Sequence, residues 1–548
     1  MEETLHKAVA DALKEQGVEN ANFVIEWPAD LSHGDFATNA ALSVSKQLGK
    51  NPKELADELA TSLELKLAGV VETISVAGPG FINFTLTRDS VVKQIQSVEQ
   101  NTAWGKGEAL SGKKVIVEYT DPNPFKELHI GHLMSNVIGE SIAGLIENEG
   151  AHVIRACYQG DVGPHVAKAL WGLQKNGVTE PATAKELGDA YALGSTEYEE
   201  NEEVKAEIDT LNTSVYEGTD TALMELWRKG REVSLNAFEE LYRILGTHFD
   251  YYFFESETSL PGKEMVLDGV AKGVFVESQG AVIYEGEKKG LHTLVFITSK
   301  GNPTYEAKDV GLAFLKEERC APYDESIIIT AAEQIGHFKV FLGALEDLAP
   351  TLAKKTRHIP HGFLRLTEGK MSSREGNIIT ASGLIQEVIE KSKEKNEDPL
   401  VASAVAIGAI KYMILRSAPG GDIIFDPEKS LSLDGDSGPY LQYALVRASS
   451  LIAQATGTDD AVVGEESSDL ERLLIRFPEV ARRSQEEQAP HKLIQYLTLL
   501  ASEWNSFYAQ GKIIESEGEA YKLSIAKAFV ATMKNGLKIL AIPTPEKM

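Results

Sequence analysis

Two histidines three residues apart, His129 and His132, flank Gly131 where the β-branched run Val115-Ile116-Val117 has passed through a proline-rich turn into the start of a helix. A helix N-terminus offers free N–H groups and the positive end of the helix dipole. Two imidazoles there, with a glycine permitting close approach, make a phosphate-binding corner. The pair could also ligate a metal, but no third ligand lies nearby in the chain and the preceding strand favours nucleotide. Far downstream, Phe363-Leu364-Arg365-Leu366 reads as a strand running into Gly369-Lys370-Met371-Ser372-Ser373-Arg374-Glu375-Gly376-Asn377. Glycines at both ends leave a loop whose Lys370 and Arg374 can reach a polyphosphate as it develops charge. A basic residue in a Gly/Ser loop is usually just solvated, so the weight lies on the pairing of loop and histidine corner.

The elements that must position these groups follow from hydrophobic period. Residues 115–117, a helix with Leu133, Val137, Ile138, Ile142, Leu145 and Ile146 inward, and residues 153–158 form a strand–helix–strand crossover of a parallel sheet. Similar strands are expected at 293–297 and 327–330, the latter followed by a helix at 338–348. Before residue 111, a helical pattern at 52–67 and strand-like runs at 72–76 and 81–86, split by Gly78-Pro79-Gly80, indicate a small α+β domain. After about residue 399, apolar-periodic segments at 440–452, 470–480, 493–507 and 521–540 indicate an all-α helix bundle. The expected architecture is therefore α/β: an N-terminal α+β domain (1–111), a Rossmann-type parallel-sheet domain (112–399) with a polar helical insertion at about 174–291, and a C-terminal helical domain (400–548).

With 548 residues and 43% hydrophobic content the chain can bury more than one core. Its 54 Lys+Arg against 82 Asp+Glu leave a net charge of −28, the wrong sign for a surface that attracts phosphate everywhere, so nucleic-acid contacts must come from local basic patches. The densest acidic run, residues 197–203 with Glu207, reads as a solvated helical face. Cys157 and Cys320 are too few for a disulfide scaffold or a zinc site, which fits a reducing cytoplasm. No window holds ~18 uninterrupted apolar residues and the acidic start is unlike a leader, so neither export nor a membrane span is expected.

The histidine tetrapeptide His129-Ile130-Gly131-His132 and the loop from Lys370 to Arg374 resemble the two signatures of class I aminoacyl-tRNA synthetases. The surroundings are similar to the arginyl family: Glu118 and Asn123, Gly160-Asp161-Val162-Gly163, the run from Tyr305 to Gly311, and Gln334-Ile335-Gly336-His337. So are the run from His33 to Asn39 and Gly78-Pro79-Gly80-Phe81-Ile82-Asn83 near the start, and the run from Gly438 to Ala444, which resembles the opening of that family's anticodon-binding bundle. One departure is notable. The fourth loop position, a lysine in the general class I pattern, is Ser373 followed by Arg374, and the resemblance implies that Lys126 helps supply the missing charge.

The resemblance implies ATP-dependent activation of arginine and its transfer to the 3′ end of tRNA(Arg), with Mg²⁺ on the ATP phosphates and no structural metal. His129, His132, Lys126, Lys370 and Arg374 would meet the charge that builds during adenylate formation; His129, Gly131, His132, His337, Lys370, Met371 and Ser372 would contact ATP. Arginine would be held by Glu118, Asn123, Tyr305, Asp309 and Gln334. A guanidinium is a planar fork of donors that wants a carboxylate in matching geometry. Asp309, four residues after Tyr305 and on the same helical face, can meet it; by spacing alone it reads equally as a first-turn acid serving the helix dipole. Contacts to tRNA would fall on Phe36, Asn39, Phe81 and Asn83 in the N-terminal domain and on Tyr440 and Arg447 in the bundle, near Tyr443, with Arg472, Arg476, Arg482 and Arg483 as a basic strip. Aromatic residues at helical spacing more often pack cores, which applies to Tyr443, and Gly-Pro-Gly before Phe81 also reads as a plain hairpin turn. A monomer is expected. The rival readings are a class I synthetase for another amino acid and a catalytically silent paralogue that binds tRNA. A cysteine enzyme would need thiolate–zinc ligands this chain lacks, and intact His129, His132 and Lys370 argue against silence.

Overall fold

The computed structural model describes residues 1–28, 31–366, 380–455 and 462–548. These fall into two compact units, one comprising residues 1–105, 447–480 and 499–535, the other 106–446, 481–498 and 536–548. The helical segments expected after residue 400 are thus shared out between the units.

In the first unit a four-stranded antiparallel sheet runs in the order Ile25–Glu26, Phe36–Thr38, Phe81–Leu86, Val71–Ala77. Helices Glu2–Glu15, Ala40–Leu48 and Pro52–Lys66 supply Leu5, Val9, Val44, Leu55 and Leu59 to its core. Gly34 sits at φ 104°, where a Cβ would lie 2.7 Å from the carbonyl oxygen of Phe84. Only glycine lets the chain pass the strand that closely. Asp35 beside it accepts the Leu86 N–H at 2.7 Å and pairs with Arg472 at 3.2 Å.

The second unit is built on a five-stranded parallel sheet ordered Thr356–His361, Glu325–Ala331, Lys114–Glu118, His152–Gln159, Tyr251–Phe254. Ile116, Val117, Ile327 and Ile329 are fully buried, as β-branched residues are when helices cover both faces of a parallel sheet. The earliest of these five strands in the chain, Lys114–Glu118, lies in the middle. Its successors His152–Gln159 and Tyr251–Phe254 add on one side and the later strands on the other, so the order reverses beside Lys114–Glu118. In open parallel sheets ligands bind at the strand C-termini where this reversal occurs.

Two sequence expectations are corrected here. The segment expected at 293–297 as a unit of the parallel sheet is instead Leu294–Ile297, the edge of a separate antiparallel sheet with Ala281–Tyr284 and Val276–Ser278. Gln279 and Gly280, both at positive φ, close the two-residue hairpin joining the last two, and so short a connection allows only antiparallel pairing. The helical insertion also ends earlier than expected. Helices Ala184–Glu200, Glu202–Glu217 and Thr221–Leu245 are followed by Tyr251–Phe254, which returns to the parallel sheet as its edge strand. The boundary expected near 399 falls at the start of helix Pro399–Leu415, which packs on helix Ile130–Asn148. Its fully buried Lys411 donates to the carbonyls of Leu245 and Ala541, both at 2.6 Å, and burial lowers that ammonium's pKa to about 8. No helix among the described residues is long and apolar enough to cross a membrane.

Candidate active site at the strand-order reversal

The turn from Glu118 to helix Ile130–Asn148 lies at the C-terminal edge of the central strand, and its backbone is strained. Thr120, Asp121 and Phe125 have φ of 79°, 46° and 69°, a region that L side chains avoid. The surroundings hold each in place. Ser135 accepts the Thr120 N–H at 2.9 Å and donates to the Ile329 carbonyl at 2.9 Å, while Asp121 accepts the Tyr158 N–H at 2.8 Å.

His129 is the N-cap of the helix. Its Nδ1 accepts the Gly131 N–H at 3.0 Å, and the Nδ1 of His132 accepts the His129 N–H at 3.2 Å. With both Nδ1 atoms accepting, each ring carries its proton on Nε2. The rings stack with centroids 3.7 Å apart. Burial, the Lys126 ammonium and, for His132, the neighbouring His129 hold both pKa values below the usual histidine range, so at neutral pH the pair is two neutral N–H donors. His361 adds a third buried ring, also lowered by burial, with Nδ1 2.8 Å from the Gly362 carbonyl oxygen. Lys370, Met371, Ser372 and Arg374 lie outside the described residues.

Of the expected arginine ligands, two share one cleft. Glu118, at the strand end, and Asp309, in helix Tyr305–Cys320, line one small cleft with Lys316, Tyr323, Ser326 and Thr356. Glu118 is buried and forms a 2.6 Å ion pair with Lys316; burial pushes its carboxyl up while the lysine draws it back. Asp309 is 2.5 Å from His337 Nε2, and Glu306 is 3.2 Å from His337 Nδ1. Burial alone would lower His337, but the two carboxylates outweigh it and raise its pKa to about 10. His337 was expected among the ATP contacts; in the structure its two ring nitrogens face the carboxylates of Asp309 and Glu306. Tyr305 is exposed and Gln334 half-buried at the end of the short helix Ala332–Gln334. Asn123 faces Gly160, where a Cβ would stand 2.3 Å from its Oδ1.

Several residues here escaped sequence reasoning. Lys316 lies seven positions after Asp309 on the same helix, so helical period could have flagged it. Lys308 and Glu255 form a buried pair at 2.5 Å, and burial pushes the Glu255 carboxyl up to about 7. Glu255 joins the site from the start of helix Glu255–Ala271, more than a hundred residues beyond Glu118, with no signal in its own neighbourhood.

The residues expected to touch tRNA are mostly otherwise engaged. Phe36 and Asn83 are corrected: they are 2% and 6% exposed inside the N-terminal core, where Phe36 packs against Trp27 at 4.3 Å, and neither can contact an RNA surface. Asn39 accepts the Val24 N–H at 3.0 Å, and Phe81 is half-buried at the start of its strand. Arg447 stacks over Tyr508 at 3.9 Å and Tyr440 is half-buried, whereas Tyr443 is 40% exposed, contrary to a core role. The basic strip is largely neutralised or stacked: Arg472 on Asp35, Arg482 on Glu486 at 2.8 Å, and Arg476 over Trp27 at 5.9 Å. Among the described residues no group of three or more His, Cys, Asp or Glu could hold a metal ion, and Cys157 and Cys320 are free and buried.

Comparison with known proteins agrees along the whole chain. Residues 94–426 match the family model for the catalytic domain of class I tRNA synthetases (R), residues 3–86 the arginyl tRNA synthetase N terminal domain, and residues 441–548 the DALR anticodon binding domain. The arginine–tRNA ligase of Borreliella burgdorferi is 30% identical, covering 97% of this chain and 95% of that protein. That of Treponema denticola is 29% identical, covering 100% and 99%. The Thermus thermophilus arginyl-tRNA synthetase structure superposes with a TM-score of 0.82 at 26% identity over the full length of both chains. The histidine corner, the paired carboxylates at the strand-order reversal and these matches lead to one conclusion: the chain belongs to the arginyl-tRNA synthetase family.

Proposed function

We infer that this chain is an arginine–tRNA ligase: it joins L-arginine to ATP as arginyl-adenylate, then transfers the arginyl group to the 3′ end of tRNA(Arg), releasing AMP and pyrophosphate. The observation that carries this reading is that buried Glu118 ends the central strand and shares a cleft with half-buried Asp309, while the turn that follows it leads into the helix start bearing the two neutral histidine donors.

The arginine carboxylate oxygen attacks the α-phosphorus of ATP, and the bond to the bridging oxygen of the departing pyrophosphate breaks. Charge grows on the phosphate oxygens, where the Nε2–H groups of His129 and His132 and the Lys126 ammonium would donate, with Lys370 of the second signature. Neutral imidazoles suit this task because each offers an Nε2–H donor without the cost of burying a full charge. Mg²⁺ would travel with the ATP phosphates, and no step here depends on it. The guanidinium would lie across Asp309 and Glu118 with the Tyr305 ring beside it, and Asn123 and Gln334 would meet the α-amino and carboxylate end.

The anticodon arm of tRNA would meet the segment matched by the DALR domain. Free, buried Cys157 and Cys320 support a cytoplasmic location, and a monomer is the simplest assembly for a chain of this kind. The deciding measurement is ATP–pyrophosphate exchange with each amino acid, with and without tRNA. Exchange restricted to arginine supports the reading; exchange with another amino acid, or none with any, ends it.

A further inference from the structure

The helical insertion makes a chemically specific contact with Lys126. The residue before it, Phe125, is fully buried with a left-handed backbone, and its ring lies in a core with Val166, Leu170, Leu187, Ala190 and Leu226. Its N–H donates to Ser234 Oγ at 2.8 Å. Gly230 makes room for the ring, since a Cβ there would stand 2.3 Å from Phe125 Cε1. Leu187 and Ala190 belong to helix Ala184–Glu200, and Gly230 and Ser234 to helix Thr221–Leu245, so the insertion holds the turn by its aromatic plug.

Lys126 then reaches back to the same insertion helix. Its ammonium lies 4.3 Å from the ring centroid of half-buried Tyr191, in cation–π geometry. Burial pushes the Tyr191 phenol up, but hydrogen bonding to Lys126, its charge, and Ser195 and Lys168 bring it below its ordinary range. Lys126 lies three residues before the helix cap His129, and from this seat its charge still lowers the pKa of His129, His132 and His165. An unrestrained lysine would lose much rotamer freedom on meeting a phosphate, and a preset one loses less.

We propose that Tyr191 is a positioning residue that seats the Lys126 ammonium beside the histidine corner, making the helical insertion a working part of the adenylation site. The proposal rests on the reading that Lys126 meets the ATP phosphates. It is tested on the full chain by arginine-dependent ATP–pyrophosphate exchange in the presence of tRNA. Tyr191→Leu should lower kcat about tenfold with the arginine KM changed less than twofold, and Tyr191→Phe, which keeps the ring face, should recover most of the loss. Lys126→Met should fall further, and the double variant Tyr191→Leu/Lys126→Met should be no slower than Lys126→Met alone. Should Tyr191→Leu be unfolded at assay temperature, Tyr191→Gln takes its place with the same expectation. Wild-type kcat without the ring, a faster variant, or a double variant slower by the product of the single losses would overturn the proposal. If the unaltered chain activates no arginine, the functional reading fails; wild-type exchange with an inert Tyr191 removes only this one.

Discussion

His337 Nε2 stands 2.5 Å from Asp309 Oδ2 while its Nδ1 stands 3.2 Å from Glu306 Oε1, so the ring faces a carboxylate at each nitrogen and is an imidazolium. Lys316 plays the same part for Glu118 at 2.6 Å. Each carboxylate proposed to meet a guanidinium therefore already has a cation of its own. Counting Glu118, Asp309 and Glu306 against Lys316 and His337, one negative charge is left over, which a single arginine side chain would balance.

Asp309→Asn should lower arginine kcat/KM by on the order of 2–5 kcal/mol, because the shape is kept but an acceptor facing the fork becomes a donor. The ATP KM should barely change. Exchange kinetics at varied arginine and ATP check this. Intact arginine kinetics in Asp309→Asn, with Glu118→Gln inactive, would make Glu118 the principal guanidinium acceptor.

The His337 clamp makes stability depend on pH in a definite direction. Its folded pKa, about 10, lies above the ordinary histidine value of ~6.5, so its contribution is complete below ~6.5 and is lost as pH rises through about 10. His337→Gln should abolish that decline. Chemical unfolding of both proteins across this window should show their stabilities converging toward alkaline pH; a constant difference would mean the ring is not charged.

Lys316→Met should destabilise the chain by about 3–5 kcal/mol, since it strands the buried Glu118 carboxylate without a counter-charge. Adding Glu118→Gln should restore part of the loss, because a neutral amide is cheaper to bury than an unpaired charge. Denaturant midpoints of the two single variants and the double variant test this. A double variant no more stable than Lys316→Met would mean that packing of the lysine stem, not its charge, matters.

Lys370→Ala should slow adenylate formation at least about tenfold and leave arginine binding nearly unchanged, because the loop is proposed to meet charge that exists mainly in the transition state. By family resemblance exchange should also require tRNA. Pre-steady-state adenylate formation and equilibrium arginine binding separate the two effects, and full exchange with arginine and ATP alone would contradict the tRNA requirement.

Local patterns in the chain carried the family, the histidine corner and most elements of the parallel sheet, because those depend on neighbours within a turn or a strand. His129 and His132 lie on one helix start, and Val115-Ile116-Val117 announces its strand by composition. Contacts between distant segments were not legible. Tyr251–Phe254 reads as an aromatic run with no sign of which sheet it will join, and Leu294–Ile297 looks like any parallel strand until its hairpin partner is known. The same holds for charge. Asp309 reads as a free carboxylate, yet His337 occupies it from a helix nearly thirty residues away, and Tyr191 meets Lys126 from an insertion that resembled only a solvated acidic face. Residue type and period determine what a side chain can do. Only folding decides which cation reaches which carboxylate first, because Coulomb energy and desolvation depend on distances and burial that no local pattern encodes.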